Sequence, residues 1–222
     1  MNNSLCRIGV FYDGSFFAYA QRYFYAGRKL GWLTHTPFHT LIENHVREKE
    51  QGYANYRVVY AAWFQGLFTA TKSTDQQRRR DRNRDLDLMH AGIEPRYVPM
   101  SHRGGEKGID VALAVDAMQV GLRGTIDVAA LVTGDGDFVP LVRALMKHGL
   151  PVTVVYFEYA DAHEKSFISD RLVNACSYSL NVTSLERDRK YQSLFRGVFR
   201  SIAATERRPV ADQADTARAP GP

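Results

Sequence analysis

The chain has 222 residues, of which 45% are hydrophobic, so it is long enough to bury the core of one doubly wound α/β domain. Its net charge of +5, from 29 Lys and Arg against 24 Asp and Glu, favours an anionic partner. Two cysteines, no signal-peptide pattern and no apolar run of membrane-spanning length exclude a disulfide scaffold and a membrane protein, so we expect a cytoplasmic chain.

The first half of the chain predicts two strands, each followed by a helix. Residues 7–12 form a β-prone apolar run that ends at Asp13, and residues 16–25 continue as an aromatic-rich helix. Residues 56–64 predict the second strand. Ser73 or Thr74 is then the N-cap of the second helix, and Thr74 with Gln77 fits a capping box.

The second half alternates strands and helices more regularly. Strands are predicted at 96–100, 128–132 and 151–157, and helices at 109–122 and 138–147. The apolar spacing in the first of these helices predicts a sheet-facing stripe, formed by Val111, Ala114, Val115 and Met118. This alternation predicts a three-layer α/β domain with a mostly parallel central sheet.

Three segments complete the predicted organisation. The domain covers residues 1–182, with an inserted loop and helix at about 27–53, and its last elements are a helix at 162–175 and a strand at 178–182. Residues 183–206 predict a basic C-terminal helix. The polar segment 207–222, with little apolar content, predicts a disordered tail.

Four aspartates fall where predicted strands end or helices begin: Asp13, Asp110, Asp135 and Asp137. The carboxyl ends of parallel strands meet at one edge of a sheet, where ligands bind. Crowded carboxylates require a cation, and Mg²⁺ or Mn²⁺ prefers oxygen ligands. Such an ion suits phosphodiester cleavage, because it activates water and neutralises charge on the phosphate. Asp116 points away from Asp110 on the predicted helix, so its role stays open.

Each aspartate has a simpler interpretation when it is taken alone. A single Asp at a strand end or in a first helical turn is often a turn former or an N-cap. Their coincidence favours a site. Gly134 and Gly136, on either side of Asp135, predict a backbone that a ligand can approach closely.

Three segments of the chain resemble the NYN domain family, in its LabA-like branch, within the PIN-like nuclease superfamily. They are residues 10–15 (VFYDGS), 107–116 (KGIDVALAVD) and 133–141 (TGDGDFVPL). The resemblance implies a PIN-like Rossmannoid fold, a divalent metal and endoribonuclease activity. It also implies that Asp13, Asp110, Asp135 and Asp137 are the catalytic and metal-binding acids.

The first motif departs from the family pattern at one position. Many relatives have Asn three residues after the Asp, and this chain has Phe16. Ser15 or Thr133 could supply the missing polar contact to a nucleic acid. The departure supports an alternative function, a regulatory RNA-binding module that does not cleave.

Basic residues next to the motifs are candidate phosphate contacts. Arg78 and Arg82 share one face of a predicted helix and could form a phosphate-binding stripe. The alternative is a solvated helix face balanced by nearby aspartates. Lys107 precedes the second motif, and Arg103 belongs to a Gly-rich segment that could close over a substrate.

Three functions from different classes compete. We favour a Mg²⁺- or Mn²⁺-dependent endoribonuclease acting on single-stranded RNA, and the non-catalytic RNA-binding module is the alternative. A haloacid-dehalogenase-like phosphatase ranks last, because that chemistry requires a second carboxylate where Ser15 stands. A homo-oligomer or a protein partner remains open, and no membrane partner is expected.

Overall fold

A computed structural model describes residues 4–67, 73–100, 108–160 and 165–201. The strands are β1 (Leu5–Asp13), β2 (Trp32–Leu33), β3 (Asn55–Leu67), β4 (Glu94–Pro99), β5 (Val128–Val132), β6 (Val152–Tyr156), β7 (Tyr178–Asn181) and β8 (Phe199–Arg200). The α-helices are α1 (Gly14–Arg22), α2 (His35–Lys49), α3 (Asp75–His90), α4 (Ile109–Leu122), α5 (Val139–Lys147), α6 (Asp170–Ala175) and α7 (Gln192–Gly197). A π-helical turn covers Tyr23–Gly27, and 3₁₀ turns cover Gly136–Phe138 and Thr183–Arg187.

The central sheet has six strands in the order β4-β3-β1-β5-β6-β7, and every pairing in it is parallel. The chain therefore runs outward from β1 to β3 and β4, crosses back to β5, and runs outward again to β7. This arrangement confirms the predicted α/β fold with a mostly parallel sheet.

Two hydrophobic clusters cover the two faces of the sheet. Alternate residues of β1 show why, because Val10 and Tyr12 belong to one cluster and Phe11 belongs to the other. Helices α1 and α2 pack on the first face, and α4 and α5 pack on the second. The three layers bury β5 completely, as its continuous apolar sequence predicts.

The inserted segment contributes to the core. Helix α2 buries an apolar stripe at helical spacing in the first cluster, made up of Phe38, Leu41, Ile42 and Val46. The two-residue strand β2 precedes this helix and pairs antiparallel with β8. Strands this short carry little sequence signal, and the prediction missed both.

The C-terminal segment does not form the single basic helix predicted for residues 183–206. A 3₁₀ turn, the short helix α7 and β8 replace it. Leu185, Phe195 and Val198 are buried in the first cluster, so packing against the domain decides the local structure. Residues 202–222, including the predicted tail, lie outside the described residues.

Two other helix predictions need correction. Helix α4 buries Ile109, Leu113 and Ala117, whereas Val111 and Val115 of the predicted stripe are 65% and 50% exposed. This helix is apolar around most of its circumference, so spacing alone could not identify the buried face. Of the helix predicted at 162–175, residues 162–164 lie outside the described residues, residues 165–169 are not helical, and the helix begins at α6.

The start of α3 confirms the predicted capping box. Thr74 accepts a hydrogen bond from the backbone N–H of Gln77, and the Gln77 side chain accepts one from the backbone N–H of Thr74. Among the described residues, no helix combines the length and the apolar character that crossing a bilayer requires.

Candidate active site at the carboxyl edge of the sheet

Adjacent strands β1 and β5 form the switch point of the sheet. Helix α1 leaves β1 toward the first face, and α5 follows β5 on the second face. The two departing chains open a crevice at the carboxyl ends of these strands, the usual ligand site of an open α/β sheet. Asp13 ends β1, and Thr133 directly follows β5.

Asp13 is held by hydrogen bonds on both oxygens. It is the N-cap of α1, where Oδ1 accepts a hydrogen bond from the backbone N–H of Phe16 at 3.0 Å. Its Oδ2 accepts a hydrogen bond from the Thr133 hydroxyl at 3.1 Å. Thr133 is fully buried, so this contact crosses the floor of the crevice.

Thr133 also links Asp13 to Asp135. Its Oγ1 accepts a hydrogen bond from the backbone N–H of Asp135 at 3.2 Å. The Asp135 carboxylate in turn accepts a hydrogen bond from the backbone N–H of Asp137 at 2.9 Å and caps the following 3₁₀ turn. We call Asp13, Thr133 and Asp135 the acidic relay, because these bonds connect the ends of two strands.

The other two predicted acids lie around this relay. Asp137 lines a cavity of about 560 Å³ together with Asp135. Asp110 lies in the first turn of α4, which starts at the carboxyl edge and contacts the 3₁₀ turn. Within the described ranges, no three or more His, Cys, Asp or Glu side chains form a group that could hold a metal ion.

The relay nevertheless fits a hard divalent cation. Mg²⁺ commonly uses one or two protein carboxylates and completes its shell with water and substrate phosphate. Asp13 and Asp135 lie at neighbouring strand ends, where Thr133 bonds the Asp13 carboxylate and the Asp135 backbone, and the Asp137 N–H bonds the Asp135 carboxylate. Two protein ligands fit that pattern, while a metal role for all four aspartates stays a prediction.

Three residues that the sequence analysis missed line the same cavity: Arg143 of α5, Arg171 of α6 and Phe167. The arginines bring positive charge beside Asp135 and Asp137, and the ring of Phe167 is 80% exposed. Arg143 lies six residues after Asp137, so a helical continuation of the third motif could have indicated it. Phe167 carries no comparable signal.

Gly134 and Gly136, on either side of Asp135, pack closely against other segments of the chain. A Cβ at Gly134 would lie 2.5 Å from the Phe167 carbonyl oxygen and 2.9 Å from the Phe16 ring. A Cβ at Gly136 would lie 2.6 Å from the Ser169 hydroxyl oxygen. The expected close approach is therefore made by the segment before α6, and Ser169 N–H donates to the Gly134 carbonyl at 2.9 Å.

Asp116 lies apart from the relay and has a partner of its own. The Tyr60 hydroxyl, in the middle of β3, donates a hydrogen bond to its carboxylate. Burial, together with this bond, raises the pKa of Tyr60 to about 12. This contact gives Asp116 a structural explanation.

The predicted basic contacts have different outcomes. Arg78 bonds to Asp75 and to the Ser73 carbonyl, and so stabilises the start of α3. Arg82 is exposed on the same helix. Lys107 and Arg103 lie outside the described residues. Ser15 lies in the first turn of α1, beside Asp13.

Comparison with known proteins agrees with this architecture. A crystal structure of a Vibrio parahaemolyticus protein of unknown function matches with a TM-score of 0.55 and 20% identity, over 82% of this chain and 94% of that one. At that identity the match shows a shared fold. No curated protein sequence matches the chain.

The NYN domain model matches residues 7–184. The match takes in all six strands of the central sheet and the acidic relay, and the chain therefore belongs to the NYN domain family, within the PIN-like nuclease superfamily.

Proposed function

We propose that the chain is a metal-dependent endoribonuclease of the LabA-like branch that cleaves single-stranded RNA at the acidic relay. The observation that carries the proposal is the hydrogen-bonded link from Asp13 through Thr133 to Asp135. It joins the Asp13 carboxylate to the backbone of Asp135 at the switch point, where an open α/β sheet binds its ligand.

Asp13 and Asp135 would hold Mg²⁺ or Mn²⁺, with Asp110 and Asp137 as further ligands or as acceptors for bound water. A bound ion supplies an activated water and neutralises charge on the phosphate and the leaving oxygen. Thr133 ties the Asp13 carboxylate to the backbone of Asp135, and the Asp137 N–H orients the Asp135 carboxylate, so both groups are ordered before the substrate binds.

Substrate binding is assigned to the groups around the relay. Arg143 and Arg171 line the cavity beside Asp135 and would pair with RNA phosphates. The exposed ring of Phe167 offers a stacking surface for an unpaired base. Ser15, Arg78, Arg82, Arg103 and Lys107 are proposed as further RNA contacts on the strength of the sequence motifs.

The test compares metal-dependent cleavage in two matched variants. Wild-type protein should cut single-stranded RNA with Mn²⁺ or Mg²⁺ and stop in chelator. Asp135→Asn should lose about 100-fold in rate while still binding RNA, because one charge is lost from the relay. Glu94→Gln is the control, since Glu94 begins β4 at the opposite edge of the sheet. Equal activity of Asp135→Asn and Glu94→Gln would exclude the relay from catalysis.

Phe16 favours a second candidate, the RNA-binding module that does not cleave. Its ring lies beside Gly134 and contacts Phe157, at the position where many relatives carry Asn. An apolar ring there cannot orient water or a ligand. Wild-type protein that binds RNA but is inert with both metals, together with cleavage gained in Phe16→Asn, would establish this candidate.

The proposed location is the cytoplasm. Cys6 and Cys176 are both free thiols. Burial raises the pKa of Cys6 to about 12, so its thiolate is disfavoured and it acts as a core residue. A second copy of the chain or another protein remains a proposed partner.

A further inference from the structure

A second cavity, of about 500 Å³, is lined by α1 and α3 and shares no lining residue with the cavity beside Asp135. Phe16 faces the Gly134 side, and its neighbour Phe17 lines this cavity. Aromatic rings from three separate parts of the chain form its walls: Phe17, Tyr25, Trp32 and Trp63. We call this cavity the aromatic pocket, and its volume is ordinary for a small-ligand site.

Helix α3 closes the aromatic pocket with a polar face. Arg80, Asn83, Arg84 and Asp87 line it at the spacing of one helical face. Arg84 is already paired with Asp81 and lies over the Tyr97 ring. Among the described residues Arg80 makes no ion pair or hydrogen bond, so its guanidinium is available at the rim.

Two buried polar atoms belong to residues that line the aromatic pocket. Gln21 is 7% exposed, and while its Oε1 accepts a hydrogen bond from the Leu33 N–H at 2.8 Å, its Nε2 has no partner within the described residues. The buried Nδ1 of His35 likewise has none there. Burial lowers the pKa of His35 to about 3, so the ring is neutral at pH 7. Unpartnered buried polar groups cost free energy.

We propose that the aromatic pocket binds one nucleotide, with its base among the aromatic rings and its phosphate on Arg80. Every base has a π-face that stacks on aromatic side chains, and Tyr25 and Trp32 are the rings of the pocket with exposed surface. The arginines outnumber the single aspartate of the lining, which favours an anionic group at the rim.

The nucleotide could come from two sources, a free mononucleotide or an unpaired residue of an RNA strand. The second source rests on the proposed function, because RNA bound at the acidic relay would have to pass α1 to place a neighbouring base in the pocket. The chemistry of recognition is the same in both cases, so the experiment distinguishes them by competition.

Tryptophan fluorescence tests the proposal directly, because the only two tryptophans of the chain, Trp32 and Trp63, both line the pocket. AMP or CMP should quench the emission saturably, whereas ribose 5-phosphate and inorganic phosphate should not. Arg80→Ala should weaken AMP binding about tenfold. Arg79→Ala is the control, since Arg79 is exposed on the same helix and does not line the pocket.

Competition with short RNA identifies the source. An oligonucleotide that displaces AMP, and loses this ability when its bases are removed, assigns the pocket to RNA. AMP binding that RNA leaves unchanged assigns it to a free nucleotide. Quenching should persist in chelator and in Asp135→Asn, so loss of cleavage with intact quenching refutes only the proposed nuclease. Absence of quenching by both AMP and RNA, or equal quenching by ribose 5-phosphate, would overturn the pocket assignment.

Discussion

The acidic relay and the aromatic pocket share no residue, and they are built in opposite ways. The relay consists of carboxylates and a hydroxyl fixed by hydrogen bonds, with two arginines near its rim. The pocket consists of aromatic rings that meet mostly edge to face, with a buried amide and a neutral imidazole that lack partners among the described residues. One surface suits a cation and a phosphate, and the other suits a base.

This difference also determines how each site responds to change. A few hydrogen bonds hold the relay, so the loss of one hydroxyl or carboxylate oxygen should disrupt it. The rings of the pocket contact one another, and Phe17 alone packs against His35, Phe38 and Trp63. We expect the pocket to keep its shape after substitutions in the relay.

The largest expected effect is that of Gly134→Ala. The added Cβ would lie 2.5 Å from a backbone carbonyl oxygen, and backbone cannot yield as a flexible side chain can. We expect a loss of about 3 kcal/mol in the free energy of unfolding, together with loss of cleavage. Gly197→Ala is the control, because nothing lies within 4 Å of its Cβ. Urea unfolding measures both, and equal stability of the two variants would contradict the described packing.

Thr133→Val should have a smaller effect on stability and a specific effect on the relay. The substitution keeps the shape but removes the hydroxyl that joins Asp13 to Asp135, at a cost of about 2 kcal/mol. RNA cleavage should fall about tenfold. Thr133→Ser should restore both the stability and the cleavage rate. Quenching by nucleotide at the aromatic pocket should not change in either variant. A valine variant that cleaves at the wild-type rate would contradict the role of the relay.

The pH dependence of stability tests the burial of the three histidines of α2, His35, His39 and His45. Burial lowers the pKa of His35 to about 3 and the pKa values of His39 and His45 to about 4. Between about pH 6.5 and pH 4 the unfolded chain therefore binds protons that the folded chain does not, and stability falls as the pH falls. Each histidine contributes about 1 kcal/mol per pH unit.

Urea unfolding at two pH values in this range checks that slope. His39→Leu should reduce the slope of the unfolding free energy against pH by the contribution of about one proton. Leu41→Ala, in the same helix, should lower stability equally at both pH values, because it removes packing and no titrating group. An unchanged slope in His39→Leu would mean that His39 is protonated in the folded chain.

The sequence predicts the relay far better than the pocket, for a physical reason. Asp13 ends a strand and Thr133 and Asp135 follow one, each within a short motif, and parallel topology brings strand ends together. Trp32 lies in a two-residue strand whose partner, β8, is about 170 residues away in the chain. No local pattern encodes that contact, and the same is true of the buried face of α4, which is apolar on nearly every side.

The most direct measurement of the central claim is anomalous diffraction from a crystal of the full chain soaked in Mn²⁺. The relay predicts one anomalous peak between the carboxylates of Asp13 and Asp135, and its loss in Asp135→Asn. A well-ordered crystal with no peak at this position, or with its manganese peak elsewhere on the chain, would contradict the assignment of the metal site.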